Sequence, residues 1–381
     1  MSKIAKAFVG ADIHDGKILH KGRCLVVDGA GHVSLSKPED LPEGCPKEDL
    51  GGGFITPGFV DLQVNGGGGV MFNDDQSLNA LRIIAEAHAR TGTAAILPTL
   101  ITDTPKRTSA AIDAVEQAIA EKVDGIAGIH LEGPHLSVAR KGAHDPNLIR
   151  AMDGDDLALL LDAADRIANV MVTVAPESTS NAQIAEMKAA GIIVSLGHTN
   201  ADYATCHSAF DAGASCVTHL FNAMSQLGNR EPGLVGATLE REGIYAGLIA
   251  DGVHVHPSSI RLALAAKPKS ERIFLVTDAM ATAGSSIQSF SINGRDVYRK
   301  DGRLTLADGT LAGADLELTR AVSVMVDTVG EDISSAIKRA TSTPTELLKD
   351  RIDLGRLGPR IDCIFHLSQF TQNPKRLSLV A

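Results

Sequence analysis

The apolar and polar positions of this chain fall into two textures. Up to about residue 55, short apolar runs are broken by turn residues, as expected of small antiparallel sheets. Lys6–Ile13, Lys17–Leu19 and Cys24–Asp28 read as strands, with Asp15-Gly16 and Asp28-Gly29 as turn signals. Pro38–Gly53 is rich in Pro, Gly and charge and reads as loop. From Phe54 onward, compact apolar runs alternate with Ala-rich stretches of helical spacing. Eight of these runs read as buried strands: Phe59–Asn65, Ala94–Thr99, Ile126–Glu132, Val170–Ala175, Ile192–His198, Ser215–His219, Tyr245–Asp251 and Ile273–Asp278. Leu78–Thr91, Pro105–Lys122, Asp155–Ala168, Asn181–Ala190, Ala201–Ala212 and Pro257–Ala265 read as the helices between them.

That alternation implies parallel strands joined by crossovers, an α/β class. Eight units over ~220 residues fit a (β/α)8 TIM-like barrel better than an open sheet. After the eighth strand the pattern changes. Phe290–Leu311 carries the hairpin signals Asn293-Gly294, Asp301-Gly302 and Asp308-Gly309, while Leu316–Thr328 and Ser334–Ala340 read as helical. The apolar run Cys363–Leu367 is suited to pair with the N-terminal strands. The expected division is therefore a small, discontinuous β-sandwich domain from residues 1–55 and 345–381, and a barrel from 56–344.

Composition narrows the function. The chain has 381 residues, with 36 Lys and Arg against 46 Asp and Glu, a formal net charge of −10. Such a balance argues against a general binder of nucleic acid or of anionic membranes. Five widely spaced cysteines form no CxxC pair, which suits a reducing compartment. The N-terminus has no apolar core of signal-peptide length, and no segment approaches the ~18 apolar residues of a membrane span. A cytoplasmic location is the expectation. Gly66–Gly69 follows a strand but lacks the Lys-Ser/Thr of a phosphate loop, so a nucleotide site is disfavoured.

In a (β/α)8 barrel the chemistry sits where the strands end. Here those ends are rich in ligands and acids: Asp61, Gln63 and Asn65 on the first strand, Glu132 on the third, His198 on the fifth and His219 on the sixth. Asp251 ends the seventh, with His254 just beyond, and Asp278 ends the eighth. One carboxylate with two imidazoles is a zinc-type hydrolytic set, and a separate carboxylate can take a proton from water. A lone strand-end histidine is usually structural; the coincidence of several on one face is what points to a metal. His144, in the loop after the third strand, is placed to reach a substrate, and His135 is placed farther from it. His130 shares Glu132's side of its strand and reads as an interior structural residue. Cys206 and Cys216 read as small buried residues rather than nucleophiles.

The blocks PGFVDLQVNGGGGVMFND, HLEGPHLSVARKGAHDP, SLGHTNADY, THLFNAMSQLGNREPGLVGA, IADGVHV, LVTDAMATAG and GTLAGA run in that order through most of the chain. Together they resemble the amidohydrolase superfamily and, within it, the N-acetylglucosamine-6-phosphate deacetylases. The resemblance implies hydrolysis of the acetamide of N-acetylglucosamine 6-phosphate, with Glu132, His198 and His219 holding one divalent ion, most simply zinc. It implies that Asp278 is general base and then acid, and that His144 polarises the acetamide carbonyl. Asn222, Ala223, Arg230 and His254 would hold the sugar or its phosphate, with Arg230 reaching the site of a neighbouring subunit in a homodimer.

Two departures matter. Many members of the superfamily carry His-x-His on the first strand, where this chain has Gln63 and Asn65. Neutral amides are poor ligands for a tightly held ion, so a second metal site there is expected to be weak or empty. The tail LGRLGPRIDCIFHLSQF matches the family's ending only loosely, with Asp362 near its Asp and Arg360 where a small residue is usual. A deaminase of the superfamily would need the missing His-x-His and a His-x-x-Glu base, where His198 is followed by Thr199, Asn200 and Ala201. A deacetylase of another amino-sugar phosphate, such as the galactosamine epimer, is the nearer alternative. A non-catalytic scaffold on the same barrel would be expected to lack ligands that this chain keeps.

Overall fold

The computed structural model describes residues 4–349, 354–358, 361–369 and 374–378. Arg360 of the family-like tail lies outside them. The eight expected strands form one parallel sheet in chain order: β1 (Phe59–Val64), β2 (Thr93–Ile101), β3 (Ile129–Glu132), β4 (Val170–Val174), β5 (Ile193–Leu196), β6 (Cys216–Val217), β7 (Tyr245–Leu248) and β8 (Ile273–Leu275). The chain beyond β8 returns to β1. A bridge joins Val64 to Ala279, and Asp278 N donates to the Gln63 carbonyl at 3.0 Å, which brings the two edges of the barrel together. Edge closure leaves few unpaired backbone groups, the usual liability of an open sheet.

The crossover helices start where their sequences carry caps. Ser77 opens α1 (Leu78–Arg90), and Thr104 followed by Pro105 opens α2 (Pro105–Ala120). Asp153 with Asp156 and Ser180 with Gln183 form capping boxes for α3 (Gly154–Arg166) and α4 (Asn181–Ala189). Each cap satisfies an otherwise orphaned N–H, worth about 1 kcal/mol. Asp202 does the same for α5 (Tyr203–Ala212). The sixth helix, α6 (Gly233–Glu240), is not among the expected helices. It has no side-chain cap, and Gly233 through Leu239 are all buried, so its sequence shows no amphipathic period. Next, α7 (Pro257–Ala266) begins at Pro257, with His256 as its cap. The expected helix Leu316–Thr328 is regular only over α8 (Leu318–Ser323) and widens into a π-helix at Val324–Val329. The last long helix, α9 (Ile333–Ala340), packs against β8.

Outside the barrel wall one expected strand is divided, and the expected pairings of the later segments form. Lys6–Ile13 is not one strand: Gly10, at φ +81°, separates Ile4–Val9 from Asp12–His14, and the two pieces enter different sheets. The run Ile364–Leu367 pairs antiparallel with Phe54–Pro57, and Phe8, Ile13, Leu25, Ile55 and Ile364 from the two N-terminal sheets share one apolar cluster. The Phe290–Leu311 segment forms a three-stranded antiparallel sheet, Ser289–Ile292, Arg295–Lys300 and Arg303–Leu306. Its two-residue turns have positive φ at both positions, Asn293-Gly294 (+50°, +71°) and Asp301-Gly302 (+51°, +70°), as Asn-Gly and Asp-Gly favour. Among the described residues, no helix is long and apolar enough to cross a membrane.

Candidate active site

A cavity of about 390 Å³ opens where the eight strands end. Glu132, at the end of β3, reaches it together with His198 and His219, which follow β5 and β6. The three side chains converge. Glu132 Oε1 lies 3.2 Å from His198 Nε2 and 3.1 Å from His219 Nε2, and the two Nε2 atoms are 3.1 Å apart. Among the described residues these three form the group of His, Cys, Asp and Glu side chains whose ligand atoms lie within 4.8 Å of one another.

The donor chemistry fits a cation. His198 Nδ1 is 2.8 Å from the Arg140 carbonyl, which only accepts, so the ring proton sits on Nδ1. A neutral His198 therefore turns the lone pair of Nε2 towards a carboxylate oxygen and a second imidazole nitrogen. Three electron-rich atoms at such separations suit a divalent ion between them, and outer-shell bonds of this kind orient ligating histidines.

Asp278 faces the same cavity from the end of β8. Burial, reinforced by the charge of Glu132, raises its carboxyl above the usual carboxylate range, the direction a general base requires. His198, His219 and Asp278 all leave their strands with positive φ, +46°, +32° and +53°. Non-glycine residues seldom adopt such angles, and they concentrate at functional sites.

The match to known proteins runs through these residues. The amidohydrolase family profile matches residues 54–360. The chain belongs to the amidohydrolase family. It is 44% identical over 304 residues to an N-acetylgalactosamine-6-phosphate deacetylase of Shewanella sp. (strain ANA-3), covering 80% of this chain and 76% of that protein. It is 34% identical over 354 residues to the N-acetylglucosamine-6-phosphate deacetylase of Haemophilus influenzae, covering 92% and 91%. The crystal structure of N-acetylglucosamine-6-phosphate deacetylase from Pasteurella multocida superposes with a TM-score of 0.89 at 37% identity, covering 97% of this chain and 96% of that one.

The remaining expected site residues of this amidohydrolase divide into three groups. His144, Asn222, Ala223 and His254 line the cavity. His144 is buried, and burial holds its pKa well below the ordinary value and the ring neutral. His144 Nδ1 lies 2.7 Å from Thr102 Oγ1 and accepts from Thr102 N at 3.3 Å; with the hydroxyl also turned to donate, the ring proton falls on Nε2, which becomes a hydrogen-bond donor. Asn65 also lines the cavity, and Gln63 stands behind it, each with its amide nitrogen turned to a carboxylate. Arg230, by contrast, is exposed and is not part of the lining of its own chain's cavity.

Several residues enter that sequence reasoning did not single out. Ile101, Ile249, Met280, Thr310 and Leu311 form the less polar wall, Thr310 and Leu311 arriving from beyond the three-stranded sheet. Ile101 lies in none of the family-like blocks, and the other four lie in blocks whose part in the wall only the closed barrel reveals. Glu177, after β4, accepts from Thr199 Oγ1 at 2.5 Å and from Asn200 N at 2.6 Å, bracing the loop that carries His198. His130 is buried inside the barrel, with Nε2 2.7 Å from Thr173 Oγ1 and Nδ1 3.1 Å from the Leu62 carbonyl. His135 contacts the Arg150 carbonyl and is not part of the main cavity lining.

Proposed function

We propose that this amidohydrolase hydrolyses the acetamide of an N-acetylated amino-sugar 6-phosphate, N-acetylglucosamine 6-phosphate first, to the free amine and acetate. The observation that carries this reading is the Glu132, His198 and His219 donor set in one cavity with Asp278 and a neutral His144. Relatives named for this reaction that match along most of the chain support it. Glu132, His198 and His219 would hold one divalent ion, read as Zn2+. A bound ion supplies Lewis acidity to the amide carbonyl and makes water acidic enough to attack near neutral pH.

The side chains do the rest. Asp278 accepts the proton of the attacking water and delivers it to the amine nitrogen, without which that nitrogen is a poor leaving group. His144 Nε2–H donates to the acetamide oxygen as negative charge gathers there. Asn222, Ala223 and His254 hold the sugar or its phosphate. Arg230, exposed on its own chain, supplies a guanidinium to the phosphate of a second copy in a homodimer, where its fork matches the anion. Such local charge is needed because a chain of net charge −10 repels an anionic substrate. A cytoplasmic location follows from the cysteine pattern, and residues 1–55 with 345–381 are read as one small β domain beside the 56–344 barrel.

A second reading is the galactosamine epimer as substrate, favoured by the 44% identity to an N-acetylgalactosamine-6-phosphate deacetylase. A scaffold without catalysis is disfavoured by the intact donor set and acid. The deciding experiment is acetate release from both epimeric phosphates and from unphosphorylated N-acetylglucosamine. It is run on metal-stripped protein with and without one equivalent of zinc. Zinc-dependent turnover of a phosphorylated sugar alone supports the reading, and the faster epimer names the substrate. No turnover of any of the three with zinc bound overturns it.

A further inference from the structure

Two neutral amides on the first barrel strand both converge on the acid of the last. Asn65 Nδ2 donates to Asp278 Oδ1 at 2.7 Å, and Gln63 Nε2 donates to the same oxygen at 3.2 Å. Gln63 Nε2 also lies 3.2 Å from Glu132 Oε1, so one amide spans the acid and a carboxylate of the donor set. The orientation is fixed by chemistry, since an ionised carboxylate only accepts and the amide oxygens must turn away from it.

The two residues differ in what lies on their other side. Gln63 is 2% exposed and does not line the cavity, whereas Asn65 is fully buried and does. Asn65 Oδ1 has no hydrogen-bond partner in the protein. That oxygen is closed off from solvent, so the side chain meets its surroundings through the amide nitrogen that it turns to Asp278. The backbone holds the arrangement rigidly. Asn65 N donates to the Ala279 carbonyl at 2.8 Å, and Asp278 N donates to the Gln63 carbonyl at 3.0 Å, so the two strand ends are laced on either side of the side-chain contact.

We infer that Asn65, backed by Gln63, is the positioning residue of Asp278: its amide nitrogen fixes the carboxylate for proton transfer. This rests on the deacetylase reading. Both amide donors fall on Oδ1, so among the described residues no protein donor engages Oδ2, which keeps its lone pairs for the proton. The clamp also differs in kind from a second cation at that place. A neutral amide aligns the carboxylate without the strong withdrawal of basicity that a dication beside it would impose.

The test is a double-mutant cycle on zinc-loaded protein, with Asn65→Ala, Asp278→Asn and the pair assayed for acetate release. Asn65→Ala is expected to lower kcat roughly 10–100-fold, the usual effect of losing such an outer partner, with KM within about twofold. In the Asp278→Asn background the same change is expected to alter kcat less than about twofold, because residues acting as a unit are not additive. A kcat loss of equal size in both backgrounds, or none in either, overturns the inference. A rise in KM with kcat unchanged would make Asn65 a substrate contact only and also overturns it. A crystal structure of Asn65→Ala gives a readout that needs no activity, so a failed substrate assignment leaves the inference testable. A displaced Asp278 carboxylate supports the clamp, and an unmoved one overturns it.

Discussion

The Nδ1 of His254 lies 2.6 Å from Oδ2 of Asp251, three residues earlier at the end of the seventh barrel strand. The other oxygen of Asp251 accepts the backbone N–H groups of Val253 and His254 at 2.8 Å each, so the carboxylate is fixed before it fixes the imidazole. Burial pushes the Asp251 carboxyl up, but these bonds, His254's first, hold it below its ordinary value. His254 therefore donates Nδ1–H to Asp251, and its Nε2 serves a phosphate when it carries the second ring proton, since a bare lone pair and the anion both only accept. Asp251→Asn is expected to raise KM for the phosphorylated sugar about 10-fold or more, as loss of a charge-assisted bond implies. Initial-rate kinetics on the zinc-loaded variant check this, and an unaltered KM would sink it.

Asp278→Asn removes the proposed base while keeping size and the ligands of the ion. A kcat lowered by ~10²–10⁴ is expected, with metal content unchanged by elemental analysis. Wild-type turnover with the metal in place would show that another group takes the proton.

Glu132 joins both histidines, so Glu132→Gln weakens the whole donor set. Chelator-treated wild-type protein should regain activity with one equivalent of zinc, whereas the variant should bind less than one ion per chain and stay inactive. Equal metal stoichiometry in the two proteins would place the ion elsewhere.

Acid stability should depend on His14. Its Nδ1 accepts the backbone N–H of Gly16 at 3.1 Å, so its proton sits on Nε2, 2.9 Å from Ser334 Oγ on α9 (Ile333–Ala340). A second proton would set two N–H groups against each other. Burial first, partly offset by the charge of Asp15, brings its pKa down from 6.5 to about 4. The folded pKa is depressed for a base, so between pH 6.5 and about 4 the unfolded chain binds the proton and the folded one does not. Stability is thus lost as pH falls through that window. Guanidinium denaturation at steps from pH 7 to 4.5 should show a shallower pH slope for His14→Gln than for the wild type. Equal slopes would remove His14 from the account.

The sequence by itself determined the barrel. Eight apolar runs separated by capped helical stretches have few ways to bury themselves, and right-handed crossovers leave a closed parallel sheet. Ligand-type residues at the ends of those runs were legible for the same reason, since period and topology together put Glu132, His198, His219 and Asp278 on one face. Local pattern failed where burial erased it. The helix Gly233–Glu240 is apolar all round and has no period to read, and Gly10 divides one apolar run between two sheets.

Only the tertiary structure decided how the site is held. That Gln63 and Asn65 turn their nitrogens to Asp278 and that Thr102 meets His144 are contacts across 42 or more residues of chain, and Thr310 and Leu311 likewise reach the cavity from a distant segment. Such contacts depend on distances of a few tenths of an ångström between side chains that closure of the barrel brings face to face. No spacing along the sequence encodes them, because a hydrogen bond is set by where two atoms meet and not by how far apart they lie in the chain.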